Sequence, residues 1–205
     1  MAPEEGPRAR GCPHRVRQPG RRARRAGVSP VLKTRRLRLR PLVEGDATAL
    51  HPMLADAELM AYSADGPLGS VDDVRSYLAE EAAPGNQRTW AITRTGDDRA
   101  IGWVSGSEAD GAGVTEIGFI LAREAWGRGI AREAVSAVID RLFAEGRSRV
   151  FADADTENTA SILLLERLGF RRERLLRDEW ETHLGLRDSL IYGLCADSWQ
   201  AAGRA

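Results

Sequence analysis

The residues best placed to do chemistry are Gly127 and Gly129, in the stretch Trp126-Gly-Arg-Gly-Ile-Ala131. They follow an apolar run, Glu116-Ile-Gly-Phe-Ile-Leu121, and precede a helical pattern that starts at Ile130. Two glycines at a helix start leave backbone N–H groups bare, and the positive end of the helix dipole adds to them. Such a turn suits a pyrophosphate, so the spacing predicts a phosphorylated cofactor. The rival reading is a Rossmann dinucleotide turn, with Asp153 at a compatible distance downstream. Its third glycine position is Arg132 here, where close helix–strand packing needs a small residue.

The elements that position this turn read as a mixed α/β series. Arg36–Arg40 alternates apolar and polar residues, a half-buried strand ended by Pro41. Asp46 is expected to cap a helix bearing Leu50, Met53 and Leu54, and Ser70 with Asp73 to open another with Val74, Tyr77 and Leu78 on one face. Pro84-Gly85-Asn86 should stop it. Strands over 88–94, 100–107 and 115–121 are separated by Gly96-Asp97-Asp98 and Asp110-Gly111, hairpin-turn chemistry that makes them antiparallel neighbours. The helix after Gly129 shows a wide apolar face and closes at Gly146. A strand over 149–153 leads through Asn158 into a helix that Gly169-Phe170 ends as a Schellman-type cap. Strands near 172–180 and 187–194 follow. The expected fold is mixed α/β, a central, mostly antiparallel sheet with helices on both faces and, about the glycine-rich helix, a parallel strand pair that splays apart at the cofactor site.

The formal net charge of zero hides an asymmetry. Residues 1–30 hold eight arginines against Glu4 and Glu5, a net +6, and the remainder is −6. The arm is rich in Pro and Gly and poor in large apolar residues, so it is expected to be disordered. Two units follow: an Arg-rich arm over 1–30 and one folded domain over 31–205. No apolar run approaches the roughly 20 residues that span a bilayer, and no apolar segment follows the N-terminal arginines as a signal peptide requires. Cys12 and Cys195 form no CxxC pair, and His14, His51 and His183 lack metal-ligand spacing. A cytoplasmic protein with no metal and no membrane partner is the default expectation.

These residues together resemble the GNAT acyl-CoA N-acetyltransferase superfamily, whose signature is a strand, a turn written [Q/R]-x-x-G-x-[G/A] and a helix. Here the six positions are Trp126, Gly127, Arg128, Gly129, Ile130 and Ala131. Trp in the first position departs from the general signature and is similar to the RimJ/RimL branch, the ribosomal-protein alanine and serine N-terminal acetyltransferases. Leu37-Arg-Leu-Arg-Pro41, Asn158-Thr-Ala-Ser161 through Leu168-Gly-Phe170, and Asp188 followed by Tyr192 resemble further segments of that branch, over about residues 32–200.

The resemblance implies acetyl transfer from acetyl-CoA to a primary amine, a protein N-terminus or a small molecule, by direct attack on the thioester. It assigns coenzyme binding to Ile117 and Phe119 on the strand, to residues 126–131 in the turn, and to Asn158 and Ser161 beyond. Arg128 is the arginine best placed for the coenzyme phosphates among Arg123, Arg128 and Arg132; a solvated basic face is the alternative. Asn158 also reads as a plain N-cap. Ser161 either protonates the departing thiolate or is a small polar residue in a helix's first turn. For the general base, Glu116 is the first candidate. Strand alternation puts Glu116, Gly118 and Ile120 on a face open to solvent or a cleft. Cross-strand pairing of Glu116 with an arginine is the alternative. Glu179 and Glu181, flanking Trp180, are its rivals, while Asp188 and Tyr192 read as structural or substrate-lining. Cys195, in a late apolar strand, is a poor nucleophile. Partners implied are acetyl-CoA, an amine acceptor and, within the branch, a ribosomal protein; the chain is expected to be a monomer or homodimer. Two other classes stay open: a non-catalytic acyl-CoA sensor, and a nucleic-acid- or ribosome-associated protein acting through the arm.

Overall fold

Alternating apolar side chains make most of the strands. Leu37 and Leu39 of β2 (Leu37–Pro41) are fully buried, and Arg38 and Arg40 turn the other way. The computed structural model describes residues 28–83, 87–109 and 113–202. Among them, one sheet runs in the order β1-β2-β3-β4-β5-β6-β8-β7. Its strands are β1 (Leu32–Lys33), β2, β3 (Gln87–Arg94), β4 (Ala100–Glu108), β5 (Val114–Leu121), β6 (Arg149–Asp155), β7 (Arg171–Thr182) and β8 (Gly185–Cys195). Every neighbouring pair is antiparallel except β5 with β6. The expected architecture is therefore present, with helices on both faces.

Helices α1 (Ala47–Leu54), α2 (Ala57–Met60) and α3 (Val71–Glu81) cover one face. Their Leu50, Met53, Leu54, Val74 and Leu78 bury against Ala91 and Trp103 of β3 and β4. On the other face lie α4 (Ile130–Ala144) and α5 (Thr159–Arg167). The apolar stripe Ala134, Val135, Val138, Ile139 and Leu142 of α4 packs on Trp90, Val104, Ile117 and Val150. A short α6 (Ala196–Ala202) closes the described chain. Among the described residues no helix is long and apolar enough to cross a membrane.

Several local expectations hold. Ser70 accepts the Asp73 N–H as cap of α3. Gly169, at φ 86°, ends α5 in a Schellman motif, with the Phe170 N–H on the Leu165 carbonyl and the Gly169 N–H on that of Glu166, both at 3.0 Å. Asp46 does not cap α1 with its side chain. Arg40 takes that carboxylate instead in a two-pronged pair, at 2.6 and 2.8 Å, because a buried guanidinium needs a counter-charge more than a helix start needs a cap. Strand β1, helix α2 and helix α6 went unread; the first two are too short for a periodic signal. Pro84-Gly85-Asn86, Asp110-Gly111 and most of the arm lie outside the described residues.

Candidate active site

Strands β5 and β6 pair only at Val114–Arg149, Thr115–Val150 and Glu116–Phe151, then part. Each stays with its own antiparallel partner to the end: β5 with β4 as far as Leu121–Gly102, β6 with β8 as far as Asp155–Ser189. From residue 117 onward, the edge of β5 that faces β6 has no strand beside it, so its polar backbone groups there can serve an extended amide-bearing ligand. Ile117 and Phe119 lie on this segment. Their side chains pack towards α4 in the core, so it is their backbone that faces the opening.

The glycine turn stands at the head of α4. Gly127 and Gly129 have φ of 69° and 70°, the left-handed region that glycine alone adopts freely. No side chain caps α4, so the first-turn N–H groups of Ile130, Ala131 and Arg132 lack intrahelical partners. Open space surrounds Gly127. Sequence-distant groups fix the turn. Arg36 donates to the Arg128 carbonyl at 2.8 Å and pairs with Glu133 of α4 at 2.6 Å. The Trp126 indole N–H donates to the Leu121 carbonyl at 2.6 Å, which gives the tryptophan a bracing role. Arg123 stacks on Trp126 and is ion-paired with Asp56 and Glu58, so its charge is already matched. Arg128 and Arg132 are exposed.

At the end of β6, Asn158 accepts the Ser161 N–H at 3.1 Å as N-cap of α5, leaving its amide N–H groups for another partner. Ser161 is half-buried, and its hydroxyl makes no hydrogen bond among the described residues.

The carboxylates sort clearly. Glu116 sits at the last paired position of β5, half-buried, with no arginine against it. Burial first, and the Asp153 charge second, raise its pKa above the usual carboxylate range. Asp153 is a site residue that sequence reasoning missed, although β6 alternation places it on the same face as Phe151, the partner of Glu116. Its own pKa is raised by burial and by Glu179 and Asp155, against hydrogen bonds from Trp180 and Ser189 that lower it. Glu179 thus lies close to Asp153, whereas Glu181 is exposed beside the hairpin turn, opposite Leu186. Asp188 and Tyr192 are engaged structurally. Asp188 accepts from Arg177 and the Asp178 N–H, and Tyr192 donates to Glu166 of α5 at 3.1 Å.

Residues 36–171 match the family model of the acetyltransferase (GNAT) domain, from the edge of β2 to the start of β7. The chain belongs to the GNAT acetyltransferase family. It is an acetyl-CoA-dependent N-acetyltransferase. An uncharacterised N-acetyltransferase of Bacillus licheniformis, p20, is 33% identical over 169 residues, 80% of this chain and 95% of the relative. Two solved structures share the fold at lower identity. The spermidine N-acetyltransferase of Vibrio cholerae, in complex with CoA and spermine, has a TM-score of 0.68 at 22% identity, over 80% of this chain and 98% of its own. RimL, the ribosomal L7/L12 alpha-N-protein acetyltransferase in complex with coenzyme A, has a TM-score of 0.69 at 19% identity, over 82% and 99%.

In this acetyltransferase the face of the sheet that carries Glu116 and Asp153 is walled on two sides. One wall is α3, where Tyr77 packs on Trp103 with ring centroids 6.1 Å apart. Glu81, at the end of α3, accepts from Gln87, which in turn accepts from Ser107, the register partner of Glu116. The other wall is the β7–β8 hairpin, whose Trp180 donates to Asp153 at 2.9 Å. The segment that precedes α3 touches the hairpin turn where the His183 N–H donates to the Ala64 carbonyl at 3.3 Å, with the imidazole against Gly66. Between the walls Gly118 leaves bare backbone next to Glu116 on this face; an added Cβ there would lie 2.9 Å from the Ser105 hydroxyl.

Proposed function

We propose that the enzyme transfers acetyl to a primary amine by direct attack on the thioester at the parting of β5 and β6. The observation that carries this is the arrangement around the split. Bare N–H groups at the head of α4 lie to one side, and half-buried carboxylates without a counter-cation lie on the other face. The coenzyme diphosphate suits the N–H groups of residues 127–131, with Arg128 beside it, and its amides suit the free edge at Ile117 and Phe119 and the amide of Asn158. Both glycines lack the β-carbon that would crowd this approach.

An ammonium loses a proton to Glu116, and the neutral amine forms the C–N bond at the thioester carbonyl. The tetrahedral species sheds a second N–H proton as the C–S bond breaks, and the thiolate takes a proton from Ser161 or water. One proton is released overall and no covalent enzyme intermediate forms. Positioning and backbone polarisation supply most of the rate, and the base adds about 10²–10⁴-fold.

The acceptor is a primary amine on a cationic molecule, a reading favoured by the negative lining of Glu81, Glu116, Asp153 and Glu179. The RimJ/RimL resemblance adds a protein N-terminus as one form of it. The folded region that follows the 1–30 arm acts as the catalytic domain, and the arm's last residues, Ser29 and Pro30, bond to β3. The test is thiol release from acetyl-CoA over a panel of peptides differing in their first residue, polyamines and amino acid derivatives. Release that depends on an amine supports the reading; tight acetyl-CoA binding with no release from any amine assigns the chain to the sensor class instead.

A further inference from the structure

Two carboxyl groups meet where the strands part. Glu116 is opposite Phe151 at the last paired position, and Asp153 stands two residues further along β6, hence on the same face. Asp153 is close enough for its negative charge to oppose ionisation of Glu116. Arg187 of β8 is committed to Asp155 and Glu157, and Arg149, which lies over the Phe151 ring, is paired with Glu173. Asp153 is held: the Trp180 indole N–H donates to its Oδ2 at 2.9 Å, and Ser189 also bonds it. Among the described residues no cation pairs with either carboxylate. Glu116 faces Ser107 across β4, and Asp153 faces Glu179 of β7 and Asp155 of its own strand.

A merely structural Asp153 would not need this placement. An exposed hairpin could fasten its tryptophan to a backbone carbonyl, with no second carboxylate set beside the first in a half-dry site. Like charges so placed do not ionise independently, and the pair takes up protons in two separated steps. The doubly ionised pair is then a stronger base near neutral pH than either group alone.

We propose that Asp153, fixed by Trp180, is a positioning residue that makes Glu116 the proton acceptor for the incoming ammonium, the two carboxyl groups acting as one base. The amine's proton passes to Glu116, and the pair goes from two negative charges to one. The base reading of Glu116 underlies this inference, so the deciding measurement is one that does not require turnover.

That measurement is a titration of the Glu116 side-chain carboxyl carbon by NMR in the full-length protein, wild type against Asp153→Asn. The asparagine oxygen still accepts the Trp180 N–H, so folding is expected to persist, and amide dispersion in the same spectra checks it. The Glu116 midpoint should fall by about one pH unit or more once the neighbouring charge is gone. The acid limb of kcat/KM should move down in pH by the same amount, with spermidine and a peptide beginning in serine as acceptors and the KM for acetyl-CoA unchanged. An unmoved Glu116 midpoint in a folded Asp153→Asn protein overturns the pairing. A midpoint that moves while the rate limb stays shows that Asp153 does not act through Glu116 in the reaction, and also overturns the proposal. If Glu116→Gln keeps the limb, Glu116 is not the base, a failure of the proposed mechanism that the titration separates from a failure of the pairing.

Discussion

Gly129 shows how a single absent side chain carries chemistry. At φ 70° a β-branched residue is strained, and its Cβ would lie 3.5 Å from the Arg36 guanidinium that braces the turn, so the N–H groups the turn presents would have to shift. Gly129→Val should therefore weaken acetyl-CoA affinity at least tenfold, about 1.4 kcal/mol by calorimetry, in a protein that remains folded. Equal affinity would move the diphosphate elsewhere. Glu116 makes the opposite kind of statement. Its carboxyl pKa is raised in the folded protein, so above the ordinary carboxylate range the folded state binds more protons than the unfolded one. Stability then falls as pH rises through the window from the ordinary value to the raised one, and stays lowered above it. Glu116→Gln should melt higher than wild type at about pH 7, with the difference fading towards about pH 4, while activity drops. A lower melting temperature at neutral pH would show that the carboxylate is favourably paired. The face on which Glu116 lies was legible in the sequence because alternation along one strand is local. The approach of Asp153 to it was not, because that depends on which strand lies beside β6 and in what register.

Elements were legible where the signal lies within one turn or one alternation. The Ser70 cap, the Gly169 Schellman end and the apolar stripe of α4 each depend on contacts between residues at most five apart. What failed was competition for a side chain. Asp46 has the spacing of a cap, but Arg40, its side chain only 12% exposed, holds the carboxylate in an ion pair that spans β2 and the start of α1. That pair, together with Asp98, raises the Arg40 pKa further, chiefly through Asp46. Removing one partner leaves a nearly buried charge, so Asp46→Ala should cost about 3 kcal/mol in denaturant unfolding, well above the ~1 kcal/mol of a lost cap. A cost near the lower figure would reduce Asp46 to a cap. The parting of β5 and β6 lies between these cases. The motif around Gly127 and Gly129 announces it, but its starting point at Glu116–Phe151 is set by twist and by the competing antiparallel partners.

Across the whole molecule the charges separate by region. The basic excess lies in residues 1–30, and the acidic remainder includes the lining of the acceptor face. The domain takes hold of the chain slightly earlier than composition indicates. The Ser29 hydroxyl donates to the Thr89 carbonyl at 3.1 Å, and the Trp90 indole N–H donates to the Pro30 carbonyl at 2.8 Å. A protein that begins at Val28 should therefore melt within a few degrees of the full chain and keep its transfer rate on small amines, whereas one that begins at Val31 should lose stability as well. Loss of activity in the longer of the two would bring the arm into catalysis.

The contact between His183 and Ala64 joins two stretches of chain far apart in sequence, and it closes a circuit: α3, the 61–69 segment, the hairpin turn, Trp180 and the sheet floor. If the acceptor enters over this face, as proposed, such a boundary favours a slender, extended tail tipped with an amine over a broad folded surface, and the preference should weaken or vanish when the His183 contact is cut back.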